Sequence, residues 1–184
     1  MQRDLVERAM AGDHDAFASL ARASIGRLFS VARLILRDDG RAEDATQEAL
    51  VAAWRDLTAL RDPDRFDAWL HRLLVRACYR EGRRGRRRWE IEVGIRPIEG
   101  ATPDPAINVV DRDQLERGFR RLDTDQRTIL VMHYYLGLSL DEAADVLGIP
   151  PGTVRSRLHR ATTAMRAALD ADARAPMLNE RRPA

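Results

Sequence analysis

Ser156, Arg157, His159 and Arg160 stand within five consecutive positions of the segment PPGTVRSRLHRA. An arginine guanidinium can donate two parallel hydrogen bonds to a guanine edge, and serine or histidine can bond other base edges. The chemistry on offer is therefore recognition of a nucleic acid rather than bond making. A second set lies upstream. From Arg76 to Arg88 there are seven arginines and one acid, Glu81. With Arg72 they recur every three to four residues through Arg76, Arg80 and Arg83 or Arg84. Such a stripe attracts phosphate, and releasing counterions makes the attraction salt-sensitive. A purely solubilising face is the alternative, although so dense a run of one sign repels itself and suggests a partner.

The first set needs an element to hold it, and the stretch from Leu122 to Leu169 supplies one. Asp123 with Gln126, and Ser139 with Glu142, have the spacing of capping boxes that start helices. Gly137 breaks the first helix and Gly148 ends the second, where positive φ is needed. Pro151 suits the first turn of the next, where a missing N–H costs little. Val154, Leu158, Ala161 and Met165 recur as one inward stripe of that long basic helix. Leu140, Ala144 and Leu147 can pack against it. This is a helix-turn-helix with a basic recognition helix. An ordinary solvated face on a helical bundle is the competing explanation.

The arginine stripe needs a helix too. Phe66, Trp69, Leu70, Leu73 and Ala77 form the core side of one spanning about Asp64 to Arg87, with Gly82 and Gly85 expected to fray its end. Before it come a short helix at 4–11, a long one from about Asp15 to Leu36, and a third from about Ala42 to Ala59. Phe17, Leu20, Ile25, Leu28, Ala32 and Ile35 are expected to face inward on the second. Leu50, Ala53, Trp54 and Leu57 are expected to do so on the third. Asp44, Gln47, Glu48, Val51 and Arg55 fall on another stripe of that third helix, compact, mostly acidic and partly apolar. A solvated face accounts for it as well as a docking face does.

Charge, length and cysteine use exclude several classes. The chain has 184 residues, and all 31 of its Lys+Arg residues are Arg. Net charge is only +2, so the placement of charge matters more than its sum. One cysteine, Cys78, rules out an internal disulfide and speaks against a cysteine-based zinc site. No apolar run approaches the ~18 residues of a membrane span, and the N-terminal stretch has no signal-peptide pattern, so no membrane insertion and a cytoplasmic location are expected. No glycine-rich phosphate loop is present, and His14, His71, His133 and His159 are scattered. No catalytic residue, metal site or cofactor is expected, and the protein is not read as an enzyme.

Alternating β-branched runs are almost absent, so the fold class is all-α. Two small helical domains are expected, residues 1–88 and 111–172, joined by an extended linker at 89–110. Five of the residues from Glu90 to Ala106 are Pro97, Pro103, Pro105, Gly94 and Gly100, and Arg96 alone opposes Glu90, Glu92, Glu99 and Asp104. An acidic, mobile connection is the expectation. Helical period resumes near Asp111 with Leu115, Phe119 and Leu122. The tail at 173–184 shows no pattern and is expected to be mobile.

Taken together, these segments resemble the sigma-70 family, and most closely its extracytoplasmic-function group. GDHDAFASLARASIGRLFSVARLIL resembles the start of the family's domain two, and AEDATQEALVAAW its polymerase-binding helix. RFDAWLHRLLVRACYREGRRGRRR resembles the helix for −10 recognition and melting. LDTDQRTILVMHYYLGLSLDEAADVLGIPPGTVRSRLHRA resembles domain four, the −35 reader. The resemblance implies a transcription initiation factor whose partners are core RNA polymerase, promoter DNA and an anti-sigma factor. It assigns Asp44, Gln47, Glu48 and Val51 to polymerase. It assigns Asp62, Pro63, Arg65 and Phe66, with Arg72, Arg76, Arg80, Arg83 and Arg84, to the −10 DNA. It assigns Thr153, Arg155, Ser156, Arg157, His159 and Arg160 to the −35 DNA. The chain departs from the family at position 76, usually Asn, and position 80, usually Asp; both are Arg here. Position 71, often Tyr, is His, and the usual Leu is replaced by Ala45. A stand-alone helix-turn-helix regulator with an N-terminal sensing or dimerising domain is the alternative, and it leaves both the arginine and the acidic stripes without a role.

Overall fold

The computed structural model describes the backbone of residues 2–92 and 109–179, and the side chains of residues 2–84 and 115–171. Eight α-helices run through these segments: α1 (Gln2–Met10), α2 (His14–Leu36), α3 (Asp39–Asp56), α4 (Phe66–Glu92), α5 (Val109–Arg120), α6 (Thr124–Leu130), α7 (Leu140–Leu147) and α8 (Pro151–Asn179). Short 3-10 turns at Leu57–Ala59 and Pro63–Arg65 and a π-helical turn at Val131–Tyr135 complete them, and no strand occurs among the described residues. The expectation of a mobile acidic linker falls largely on residues 93–108, which lie outside the described residues. Two expected boundaries move. Helix α4 runs through Gly82 and Gly85 and takes in Trp89 to Glu92, and α8 continues to Asn179, well into the segment read as a patternless tail. Glycine lowers helix propensity by only about 1 kcal/mol, which a long helix absorbs.

Local side chains start the helices. Asp13 Oδ1 accepts from the amides of Asp15 and Ala16, each at 3.0 Å, at the head of α2. The Ala16 amide bond, with help from Arg8, holds the Asp13 carboxyl below the usual carboxylate range. Asp38 accepts from the Arg41 amide at 2.8 Å and opens α3. Both capping boxes form as expected, Asp123 with Gln126 at α6 and Ser139 with Glu142 at α7. Each satisfies amides that a helix start leaves without partners. Gly148 ends α7 in the left-handed region at φ 64°. Arg37 ends α2 in the same region at φ 55°, although it is not glycine.

Packing follows stripes of small and branched residues. Helix α3 buries Ala42, Ala45, Thr46, Ala49 and Ala53, with Leu57 after it, so it lies close to its neighbours α2 and α4. Helix α2 buries Ala16, Leu20, Ser24, Leu28, Val31, Ala32 and Ile35. Ile25, expected inward, is exposed; the buried stripe passes through small Ser24 instead. Leu28, Ile35, Phe66, Leu70 and Leu74 are essentially inaccessible, each contributing about 1.5–3 kcal/mol of hydrophobic stabilisation. In the second half, Val154 and Ala161 of α8 are buried, and Gly118 lets α5 approach α8 closely. A Cβ there would stand 2.9 Å from Met165 Sδ. Of the apolar residues on α5 and just after it, Leu122 is buried and Leu115 is exposed.

The two halves touch. One cluster of buried residues runs from Val6 to Ala161, and α6 and α7 pack on α2 and α4. Arg127, only 4% exposed, donates from Nε to Ile35 O at 2.7 Å and from Nη1 to Leu122 O at 2.6 Å. Ile35 lies in the last turn of α2, where carbonyls lack intrahelical partners. Arg37 reaches the other way, donating to Glu116 O of α5 at 3.4 Å.

Candidate nucleic-acid interface

Helix α8 carries Thr153, Arg155, Ser156, Arg157, His159 and Arg160. Arg155, Ser156, His159 and Arg160 are exposed and Thr153 is half-buried, while Val154 and Ala161 point into the core. Ser156 Oγ donates to Thr153 O at 2.9 Å, and Arg160 Nε leans back on Ser156 O at 3.4 Å. These are weak local contacts that a base edge can replace. Arg157 is different. It is half-buried, donates from Nη1 to the Tyr79 hydroxyl at 3.2 Å, and lies 4.0 Å from Asp125. The hydrogen bond to Tyr79 raises its pKa further above the usual arginine value.

Helix α4 carries the arginine stripe. Arg76, Arg80, Arg83 and Arg84 are exposed and Arg72 is half-buried. Arg83 lies over the Tyr79 ring, 5.8 Å from its centroid, and Arg84 is 3.7 Å from Glu81. Arg72 pairs with Glu142 of α7, and Arg76 Nε donates to Val146 O of the same helix at 3.3 Å. Glu142 is held below the usual glutamate range, chiefly by the Ser139 amide and hydroxyl and less by Arg72.

The turn before α4 is set by Asp62, which accepts from the Asp64 amide at 3.1 Å, and by Pro63 in its first turn. Asp62 and Arg65 are exposed and 3.7 Å apart. Phe66 does not belong with them. It is 2% exposed, packed in the core beside Trp69, and so unavailable to a DNA base. Helical spacing places it in the core and the family resemblance beside the DNA; its burial leaves only the core role open.

Helix α3 turns its predicted stripe to solvent. Asp44 and Gln47 are exposed, Val51 is 66% exposed, and Glu48 is half-exposed and paired with Arg80 at 2.7 Å. Trp54, expected in the core, joins this face instead. It is 38% exposed and rests its ring on His14 and Phe17, at centroid distances of 4.6 and 5.0 Å. The alanine stripe already fills the inner face, which leaves no room there for an indole. The signal in the sequence is a large apolar residue one turn from exposed Val51, on the rim of the stripe rather than at its centre.

Cys78 is buried, and burial pushes its thiol up to about 12, far from a reactive thiolate. His71 Nδ1 bonds Asp67 O at 2.8 Å, a helix-internal contact. Among the described residues no group of three or more His, Cys, Asp or Glu could hold a metal ion, and no helix is long and apolar enough to cross a membrane.

Known proteins share both halves. The Sigma-70 region 2 family matches residues 20–88, and the Sigma-70, region 4 family matches residues 112–165. The chain is 33% identical over 160 residues to the ECF RNA polymerase sigma factor SigM of Mycobacterium tuberculosis, across 86% of this chain and 79% of that one. It is 31% identical over 190 residues to the RNA polymerase sigma-H factor of Pseudomonas aeruginosa, across 97% and 96% of the two chains. Among solved structures, the sigma factor RpoE of Bartonella quintana, in complex with the anti-sigma factor NepR, matches with a TM-score of 0.66 and 25% identity over 85% of this chain and 98% of that one. With an exposed acidic and apolar face on α3, an arginine face on α4 and a helix-turn-helix at α7 and α8, in that order, the chain belongs to the sigma-70 family of RNA polymerase sigma factors, within its extracytoplasmic-function group.

Proposed function

We propose a residue-level division of labour for this sigma factor. Asp44, Gln47, Glu48 and Val51, joined by Trp54, dock core RNA polymerase. Asp62, Pro63 and Arg65, with Arg72, Arg76, Arg80, Arg83 and Arg84, hold the −10 DNA as it opens. Thr153, Arg155, Ser156, Arg157, His159 and Arg160 take the −35 element, with phosphate contacts setting register and base-edge contacts setting sequence. Residues 1–88 then form the polymerase-binding and melting domain, 111–172 the −35 domain, and 89–110 the connection, with 173–184 beyond. The protein acts in the cytoplasm, where polymerase and chromosome meet, and contributes binding free energy rather than a catalytic step. The relative solved with NepR supports an anti-sigma protein as a regulator of this chain as well.

The observation that carries the reading is the two-sidedness of α3. Its alanine face packs into the core, while the acidic and apolar face stays largely exposed and open to a partner. A stand-alone regulator has no use for that face. Run-off transcription with core polymerase on a promoter library tests the assignment. Promoter-specific transcripts should depend on the protein, and replacing Arg83 and Arg84 with Gln should flatten the salt dependence of forked-DNA binding. Specific duplex binding without polymerase, and no transcripts with it, would return the reading to a simple regulator.

A further inference from the structure

Helix α1 lies ahead of both matched segments, yet it packs on α2 and on the two 3-10 turns that lead into α4. Val6 is inaccessible and Ala9 is buried, so the apolar face of α1 is anchored in the core. Ion pairs fasten both of its ends. Arg8, in the last turn, holds Asp13, the N-cap of α2, at 2.6 Å. Arg3, in the first turn, donates from Nη1 to Asp64 Oδ2 at 2.6 Å and from Nε to Glu7 Oε1 at 2.9 Å. Two carboxylates thus hold one planar guanidinium and fix its orientation. Asp64 is the middle residue of the Pro63–Arg65 turn. Its amide donates to Asp62 Oδ1 at 3.1 Å, and Asp62 Oδ2 lies 3.7 Å from Arg65 Nε. A chain of polar contacts therefore runs from α1 through Asp64 and Asp62 to Arg65.

We propose that Arg3 is a positioning residue for −10 recognition: from α1 it braces the Pro63–Arg65 turn, so that Asp62 and Arg65 are held in place for the opened DNA strand. The proposal rests on the assignment of that turn to −10 DNA given above. The Arg3 and Asp64 side chains keep 57% and 60% of their surface exposed, and a pair of that kind adds little to global stability. Its effect falls on the turn instead. A short exposed segment that must be ordered on binding costs affinity, and a brace from an anchored helix removes part of that cost in advance. The pair has a second consequence. Asp64 is an acid beside a surface assigned to phosphate-bearing DNA, and the Arg3 guanidinium offsets its charge there.

Neither Arg3 nor Asp64 belongs to the residues assigned to DNA, and substitution at Asp64 separates the brace from bulk charge by sign. Asp64→Ala removes a negative charge near the DNA, so charge alone would strengthen strand capture, whereas loss of the brace weakens it. Holoenzyme assembled from core polymerase and the full chain is titrated with a forked promoter fragment, taken from those that support run-off transcription, whose −10 non-template strand is single-stranded. Arg3→Ala and Asp64→Ala should each weaken capture, by up to about fivefold. The double variant should lose no more than either single one, because both break the same contact. Arg3→Lys keeps the charge and should recover part of the loss. Core affinity, binding to −35 duplex and melting temperature should stay near wild type throughout, whereas a merely structural role would move them together. Tighter capture by Asp64→Ala, wild-type capture by Arg3→Ala, or additive losses in the double variant would overturn the proposal. Arg65→Ala checks the underlying assignment. Wild-type capture by Arg65→Ala would remove the turn from the −10 contacts, and the brace with it. A loss in Arg65→Ala with Arg3→Ala unaffected would remove the brace alone.

Discussion

Arg80 donates to Glu48 at 2.7 Å, so an arginine of the α4 stripe and an acid of the α3 stripe neutralise each other between the two helices. Both side chains are substantially exposed, at 51% and 38%, and such pairs contribute about 0.2–1 kcal/mol. Reversing charge with Asp44→Arg and Glu48→Arg should abolish binding to core polymerase while leaving the melting temperature nearly unchanged, because neither residue supports the core. Glu48→Gln alone should release Arg80 and strengthen forked-DNA binding by at most about fivefold. Co-elution with core and DNA titration of the same preparations check both statements.

On the recognition helix, Arg160 and Arg155 should part company. Both are exposed, and Arg160 makes only a long bond to its own helix. If Arg160 reads a guanine, Arg160→Ala should cost about 1–3 kcal/mol and relax preference at one base pair. Arg155→Ala should weaken all −35 sequences alike and lower the salt slope by about one. Selection from a randomised −35 library separates the two. Identical sequence preferences for wild type and Arg160→Ala would remove Arg160 from the readers.

Phe66 should behave as a core residue. Phe66→Ala is expected to destabilise by about 3–5 kcal/mol, from lost burial and the cavity left behind. Asp62→Ala loses the turn contact to the Asp64 amide, for about 0.5–2 kcal/mol, and an exposed pair with Arg65 that adds little. Chemical denaturation of each variant orders them. Promoter-opening defects in Phe66→Ala should then follow its loss of fold, whereas those in Asp62→Ala should persist well below its melting temperature.

Glu142 makes stability depend on acid. Its carboxyl is held below the usual glutamate range by the Ser139 amide and hydroxyl first, and by Arg72 to a lesser degree. A depressed carboxylate contributes stability that is present above its unfolded pKa and is lost as pH falls through the lower folded one. The melting-temperature gap between wild type and Glu142→Gln should therefore be constant from neutral pH down to about 4.5 and shrink at lower pH. A gap that grows on acidification would assign the shift wrongly.

Much of this protein is local and therefore legible in one dimension. Asp123 with Gln126, Ser139 with Glu142, and Gly148 act within a few residues of themselves, so the helix-turn-helix could be read before any packing was known. The acidic stripe of α3 and the arginine stripe of α4 are also helical periodicities. What tertiary structure decided is which of several apolar residues the core could admit, and where the two halves meet. Trp54 and Ile25 have the hydrophobicity of core residues, but α3 and α2 bring small residues, Ala53 and Ser24, to the inner face and turn the larger neighbours out. Phe66 went the other way, from shared duty to the core. Arg127 shows the limit best. Nothing near it in sequence marks it for burial, yet it bonds a carbonyl 92 residues earlier. A buried guanidinium is stable only when fixed acceptors surround it, and those acceptors are the end of a distant helix, present only once both halves have packed.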